Sequence, residues 1–424
     1  MLLRRAAAYI CFSMQETRRL NSWAVLCLLN LLLVSVLGVL LRYKGTFFFP
    51  AVNYKYLLNA HSHFAFSGWV TTALFTALAY ILARSGIGLS PVYHYQFWLS
   101  QVASFGMLVS FMWQGYGSVS IFFSAISVAF SYWFAARYWS DMRKSVMAAA
   151  VKVCVRLALI FLVLSSAGPF LLAYSMSHRV GSLAFYYNSI YLYLHFQYNG
   201  WFTFAVLGLL LWVLQPPAVH AGKTAWVVGL MGVACVPAYC LSLLWTVPPT
   251  WVWVTAGIAA IVQLAALLLL AGLLWKMFVT SRGRLHRLAA VLWGLSFTAF
   301  GIKIILQASS VIPSLGRFAF SFRPVIIAYL HLVLLGFVTF FLLGFFCINK
   351  MLDFSRGVGL TGIGLFIAGV VGNEMILLLQ SLLAAGGTAW NGAPYYLFGA
   401  AVCMFCGLLL LACRGKNQGN VIQL

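Results

Sequence analysis

The sequence predicts an all-α polytopic membrane protein. Of its 424 residues, 64% are hydrophobic and 7% are charged, and the mean hydropathy is +0.99, a composition unlike that of a soluble domain. Apolar runs of about 20 residues, enough to cross the hydrocarbon layer as a helix, recur along the whole chain. Lys and Arg lie mostly between these runs. We therefore expect a single transmembrane domain over residues 1–424 with about twelve helices.

The predicted spans follow one another with short connections, and neither a soluble domain nor a low-complexity linker interrupts them. The spans are predicted at 22–42, 60–83, 97–113, 118–138, 153–175, 187–214, 225–246, 252–275, 286–309, 325–348, 358–384 and 395–413.

The net charge of +22 is explained by membrane topology, and no nucleic-acid partner is expected. Lys and Arg concentrate in cytoplasmic loops of membrane proteins. With the N-terminus inside, 18 of the 26 basic residues fall in inner segments and 6 in outer loops. We expect a multi-pass protein of the bacterial inner (cytoplasmic) membrane, surrounded by the lipid bilayer, with both termini cytoplasmic. Arg156 and Lys303 lie near span ends, where long basic side chains can snorkel to the interface.

A short histidine motif recurs three times along the chain. The segments HFAFSGWVT, HFQYNGWFT and HLVLLGFVT begin at His63, His195 and His331 and share the pattern H-x-x-x-x-G-(W/F)-x-T, with separations of 132 and 136 residues. We call these three segments the histidine frames. They fall on predicted helices 2, 6 and 10, each time with the His in the outer part of the span. The period predicts internal four-helix repeats at about 22–138, 153–275 and 286–413.

Two explanations account for histidines inside the predicted membrane spans. Each ring can hydrogen-bond a neighbouring helix, as polar groups in membrane bundles do. Alternatively the rings are ligands, because imidazole suits iron, copper and zinc, and haem between helices is commonly held by histidine. The glycine of each frame would allow close helix approach. Its threonine either contacts a haem propionate or bonds the backbone of its own helix.

Two further residues extend this set of candidates. His61 precedes the first frame by two residues, so its ring points about 200° away from that of His63 on a helix. Glu374 is the one acidic residue inside a predicted span, and an intramembrane carboxyl is a functional candidate.

Twelve spans with histidines on helices 2, 6 and 10 resemble the haem–copper oxidase subunit I superfamily, which is built as three four-helix arcs. The segment AHSHFAFSGW is also similar to the second helix of NnrS-type haem- and copper-containing membrane proteins. The resemblance implies b-type haem with His63, or its neighbour His61, and His331 as axial ligands. It implies His195 as a copper ligand.

The match to the oxidase pattern is incomplete. The pair of histidines expected on helix 7 is absent, so the implied copper site is incomplete. Tyr329 stands where the family has its high-spin haem ligand. Asn199 occupies the place of the helix-6 tyrosine, with Tyr198 one position earlier.

The sequence therefore predicts a haem-binding membrane protein in respiratory electron transfer, or in binding of a small gaseous ligand, nitric oxide or oxygen. A partner electron-transfer subunit or cytochrome would supply electrons. One alternative is a true oxygen or nitric oxide reductase, an oxidoreductase with a non-standard second site built from His61, His195 and Tyr198. Another is a secondary transporter with structural histidines. The sequence leaves open whether the protein is an enzyme.

Overall fold

The computed structural model describes residues 14–178, 180–215, 218–281 and 286–415, and these residues form helices without a strand among them. The two chain ends, predicted to be cytoplasmic, lie outside the described residues. Long apolar runs with hydrogen-bonded backbone explain the helices, since lipid offers no other partner to a peptide group. We number the long helices α1 Met14–Thr46, α2 Tyr54–Ile87, α3 Pro91–Gln114, α4 Ser118–Lys144, α5 Ala149–His178, α6 Leu183–Leu214, α7 Ala218–Cys235, α8 Thr250–Ser281, α9 Arg287–Ser309, α10 Arg323–Ile348, α11 Val358–Ala385 and α12 Ala393–Gly415.

Eleven of these helices, α7 being counted together with its continuation to Thr246, are long and apolar enough to cross a membrane, which identifies a polytopic membrane protein. The helix outside this set is α3, which corresponds to the predicted span 97–113. It has 24 residues, about 36 Å at 1.5 Å per residue, so its length suffices. Its buried polar side chains, among them Gln96, Gln101 and Ser104, make it less apolar than the others.

Two shorter helical elements lie next to the long helices. A 3₁₀ segment, Pro237–Thr246, follows α7, because Pro237 lacks the N–H that an α-helix needs there. A short helix, Pro313–Ser321, precedes α10.

The chain folds into two compact units. Within the described residues, unit 1 runs from α1 to Phe134, includes His286–Trp293 and resumes at Ile327 to contain most of α10 with α11 and α12. Unit 2 consists of Ala135–Leu285 and Gly294–Ile326. Unit 1 therefore contains the first and third histidine frames, and unit 2 contains the second.

Candidate functional site

Each histidine frame forms a π-helical segment in the middle of a long α-helix. The three segments are Ala65–Thr71, Phe196–Phe202 and Leu332–Thr339, and each begins one or two residues after the frame histidine. A π-helical turn is rare and is frequently found at functional sites. The three frames thus share a backbone geometry as well as a sequence pattern.

The frame threonines hydrogen-bond their own helices in two of three cases. Thr203 Oγ1 donates to the Tyr198 carbonyl at 2.6 Å, and Thr339 Oγ1 donates to the Leu334 carbonyl at 2.8 Å. Both acceptors lie five residues back, so each hydroxyl satisfies a carbonyl of the widened turn. Thr339 Oγ1 also accepts a hydrogen bond from Trp69 Nε1 at 2.9 Å, which ties the first frame to the third within unit 1.

The frame glycines have different surroundings. A Cβ on Gly200 would lie 2.4 Å from Phe161 Cβ, so this glycine lets α6 approach α5. A Cβ on Gly68 would instead meet the ring of Phe64 in the same helix. Close helix approach is therefore the role of Gly200.

His63 faces α3 and the turn that follows it. Its Nε2 lies 2.8 Å from the Tyr116 hydroxyl, and its ring stacks on Phe111 with centroids 4.2 Å apart. These contacts occupy one ring face and one nitrogen of His63.

His61 points in another direction, as the 200° rotation between the two residues requires. Its ring faces the Val34 carbonyl of α1, and Gly38 of α1 lies against its Cε1 atom. Its Nδ1 is buried and has no hydrogen-bond partner. His61 is close enough to His331 and to Arg42 for their charges to interact. The structure thus brings His331 together with His61, while His63 lies among other neighbours.

Polar residues of α11 complete this group, which we call the unit 1 cluster: His61, His331, Arg42, Asn373 and Glu374. The Asn373 amide nitrogen lies 3.3 Å from His331 Nδ1 and 3.1 Å from Glu374 Oε1, and its oxygen lies 3.4 Å from Arg42 Nη2. Arg42 and Glu374 attract each other electrostatically. His331 Nε2 makes no hydrogen bond within the described part of the chain. Nδ1 of His61 and Nε2 of His331 are therefore the two imidazole nitrogens of the cluster without a hydrogen bond.

His195 in unit 2 is fully buried and has both ring nitrogens bonded. Its Nε2 lies 2.8 Å from the Cys235 carbonyl, and its Nδ1 lies 3.0 Å from the Asn199 amide nitrogen. A carbonyl only accepts hydrogen bonds, so Nε2 carries the proton and Nδ1 accepts from Asn199. In this arrangement His195 offers no free lone pair to a metal ion.

Lys303 of α9 belongs to the same neighbourhood. It is 1% exposed, its Nζ lies 5.5 Å from the Phe300 ring centroid, and it interacts electrostatically with Cys235 and His195. The sequence-based prediction that Lys303 snorkels to the interface is wrong. The side chain points into the bundle because its helix face packs inside unit 2.

The two tyrosine candidates differ in burial. Tyr198 lies buried inside the π-helical segment that follows His195, and Tyr329 is half-buried two residues before His331. Within the described residues no three His, Cys, Asp or Glu side chains lie close enough together to hold a metal ion.

Comparison with known proteins adds no family to this picture. The sequence matches none of the known protein-family models, and no curated protein shows significant similarity to it.

Sequence reasoning missed Arg42, Asn373, Tyr116 and Cys235. Arg42 was assigned to an outer loop, although an arginine at the edge of a span can also reach into the bundle when a half-buried carboxyl such as that of Glu374 lies opposite. The one available signal was the pairing of Asn373 with Glu374, two adjacent polar residues inside an apolar run.

Proposed function

We propose that this membrane protein holds a b-type haem in unit 1, with His61 and His331 as the axial ligands, and that it transfers electrons. The observation that carries the proposal is the unit 1 cluster, in which two imidazoles from facing helices lie beside a half-buried arginine. The proposal extends to the fold, which would be the three-arc arrangement of the haem–copper oxidase subunit I superfamily.

The donor set fits a haem in chemical terms. Two neutral imidazoles are a common axial pair for haem iron in electron-transfer proteins. The Nδ1 of His61 is buried without a partner, and such an orphaned atom costs free energy unless a ligand satisfies it. Arg42 supplies the positive charge that haem propionates require.

Asn373 is suited to orient His331. Histidine ligands usually donate their second ring N–H to a fixed acceptor. As it stands, the Asn373 amide nitrogen donates to His331 Nδ1. Rotation of the amide by 180° would turn its oxygen towards His331 Nδ1 and Glu374 and its nitrogen towards Arg42, so it would require a protonated Glu374 that donates to the amide and an Arg42 that is released to bind a propionate. The resulting tautomer carries its proton on Nδ1 and leaves Nε2 free to bind iron.

A haem held by both His61 and His331 would supply one-electron transfer and would leave no iron position for a gas. This argument favours electron transfer over binding of nitric oxide or oxygen. A partner electron-transfer subunit or cytochrome belongs to the proposal, since the electron must arrive from and leave to another carrier.

The reductase alternative has less support. It requires a second metal held by His195, whose two nitrogens are both hydrogen-bonded. The residues around His195 do not fit a copper ion, so copper is not part of the proposal.

One observation favours the competing account of structural histidines. Every frame histidine bonds a residue of the next helix or of the turn just after it, namely Tyr116, Cys235 and Asn373. A purely structural role predicts that replacing any of the three weakens the bundle to a similar extent.

The deciding experiment is haem quantification on protein purified after expression with excess haem. We expect one haem b for each chain by the pyridine haemochrome assay, loss of that haem in His331→Ala, and retention in the matched His195→Ala. A colourless wild-type protein would overturn the proposal. Equal, modest destabilisation in both variants without a spectral difference would favour structural histidines instead.

A further inference from the structure

The end of α4 and the first two turns of α5 carry a group of basic side chains in unit 2. We call it the α4–α5 basic patch, and its members are Arg143, Lys144, Lys152 and Arg156. Unit 2 contains one acidic residue, Asp141, whose carboxylate forms an ion pair with Arg137 at 2.8 Å. The carboxylate of this unit is thus already engaged with a cation outside the patch.

Arg156 has hydrogen-bond donors without an acceptor. Its guanidinium carbon lies 5.8 Å from the centre of the Trp139 ring, and its Nε is buried without a hydrogen-bond partner. Trp139 supplies an aromatic face for the cation but no oxygen that could accept a hydrogen bond. A buried donor that is left unsatisfied costs free energy, so a ligand with acceptor oxygens would stabilise this side chain.

Lys152 lies one helical turn before Arg156, on the same face of α5. Its Nζ donates to the Ser145 carbonyl at 2.8 Å, which holds the side chain over the turn between α4 and α5. Like charges four residues apart on a helix repel each other, and an anion bound between them would remove this repulsion. Helical side chains lean towards the N-terminus of their helix, so both cations point to the end of α5 that the sequence predicts at the cytoplasmic surface.

An exposed apolar strip continues from Arg156 along the same face of α5. Ile160, Val163 and Leu164 follow Arg156 at the spacing of one helix face, and their side chains are 48%, 41% and 37% exposed. A free phosphate ion would not contact this strip, whereas a phospholipid needs an apolar surface for its acyl chain. The basic patch and the strip together therefore match a phospholipid in both charge and shape.

We propose that Arg156 and Lys152 bind the phosphate of an anionic phospholipid, whose acyl chain lies along the apolar strip of α5. The Arg156 guanidinium donates two parallel hydrogen bonds to phosphate oxygens, and Lys152 adds a second positive charge. An anionic headgroup is preferred to a zwitterionic one, because the latter would bring its own cation into a patch of basic side chains. This inference does not depend on the haem.

Native mass spectrometry of the full chain in detergent, titrated with phosphatidylglycerol or phosphatidylcholine, tests the proposal. We expect phosphatidylglycerol to bind at least about tenfold more tightly, the factor that corresponds to one hydrogen bond to a charged group. Arg156→Gln should remove most of this preference, and Arg156→Lys should retain part of it. Lys276→Gln is the matched control, because it removes one charge from an exposed position on α8 of the same unit, and it should leave the preference unchanged.

Two further measurements distinguish a lipid from a free phosphate ion. A large excess of inorganic phosphate should not displace phosphatidylglycerol, and Ile160→Gln should weaken the lipid about threefold through lost apolar contact. Displacement by inorganic phosphate, equal wild-type affinity for the two lipids, or equal losses in Arg156→Gln and Lys276→Gln would overturn the proposal. If Arg156→Gln does not fold, the wild-type preference and the variant at the exposed Ile160 decide.

Discussion

His331 in unit 1 and His195 in unit 2 both precede a π-helical segment and both contact an asparagine amide, yet their second nitrogens differ. His195 Nε2 is bonded to the Cys235 carbonyl, whereas His331 Nε2 has no hydrogen bond among the described residues. The asparagine of His195 lies on its own helix, and that of His331 comes from α11. The repeated frame therefore sets the position of each ring. The neighbouring helices determine whether one of its nitrogens is left without a hydrogen bond and can bind a ligand.

The cations of the two sites differ in the same way. Arg42 lies opposite Glu374 and Asn373, whereas Lys303 lies near the thiol of Cys235, and the carboxylate of unit 2, Asp141, is paired with Arg137. An arginine held by an amide and a carboxyl is preorganised to receive a carboxylate ligand. The same sequence pattern therefore lies in two different polar surroundings.

The largest expected effect is on protein stability, and it distinguishes Gly200 from Gly68. Gly200→Ala should destabilise the protein by about 1–3 kcal/mol, because the new methyl group collides with Phe161 and forces α5 and α6 apart. Gly68→Ala should cost less than about 1 kcal/mol, since the Phe64 ring can turn away. Thermal unfolding of the detergent-solubilised proteins measures both, and equal melting temperatures would contradict the different roles.

Asn373→Ala should lower haem affinity by about 10–100-fold, because His331 loses the partner that orients its ring. Asn199→Ala is the matched variant in unit 2 and should leave haem affinity unchanged. Haem transfer to apomyoglobin measures the affinity. A loss of similar size in both variants would remove the distinction between the two units.

Arg42→Met should weaken haem binding by about 1.5 kcal/mol, the lower end of the range for a hydrogen bond to a charged group. Arg42→Lys keeps the charge and should recover part of the loss. The same haem-transfer assay applies. Unchanged affinity in Arg42→Met would show that this cation does not contact the propionates.

The smallest effect is expected at the first frame. Tyr116→Phe removes the hydroxyl at His63 Nε2 and should destabilise the protein by about 1 kcal/mol. The haem spectrum should not change. A shifted or lost Soret band in this variant would show that His63, and not His61, is coupled to the haem.

The sequence predicted the helices well and the site only in part. Eleven of twelve predicted spans correspond to helices apolar enough to cross a membrane, because a bilayer permits few alternatives to a continuous apolar helix. The frames located the histidines and the segments around them. The π-helical turns were not predictable, since a widened turn arises from packing around the frame and has no composition of its own.

The contact partners of each histidine could not be predicted from the sequence either. A spacing of two residues predicts that His61 and His63 diverge but does not tell which one faces α10. That choice depends on the rotation of α2 against α1, which directs the His61 ring towards Val34 and Gly38 of α1. Lys303 was misread for a related reason. The distance of a residue from the end of its span does not tell which face of the helix packs against other helices.

The pairing of His61 with His331 is tested most directly by reduced-minus-oxidised absorption spectra of His61→Ala and His63→Ala, recorded side by side at equal protein concentration. We expect the low-spin haem spectrum to disappear in His61→Ala and to persist in His63→Ala, because His61, and not His63, interacts electrostatically with His331. A spectrum that persists in His61→Ala and disappears in His63→Ala would contradict the account.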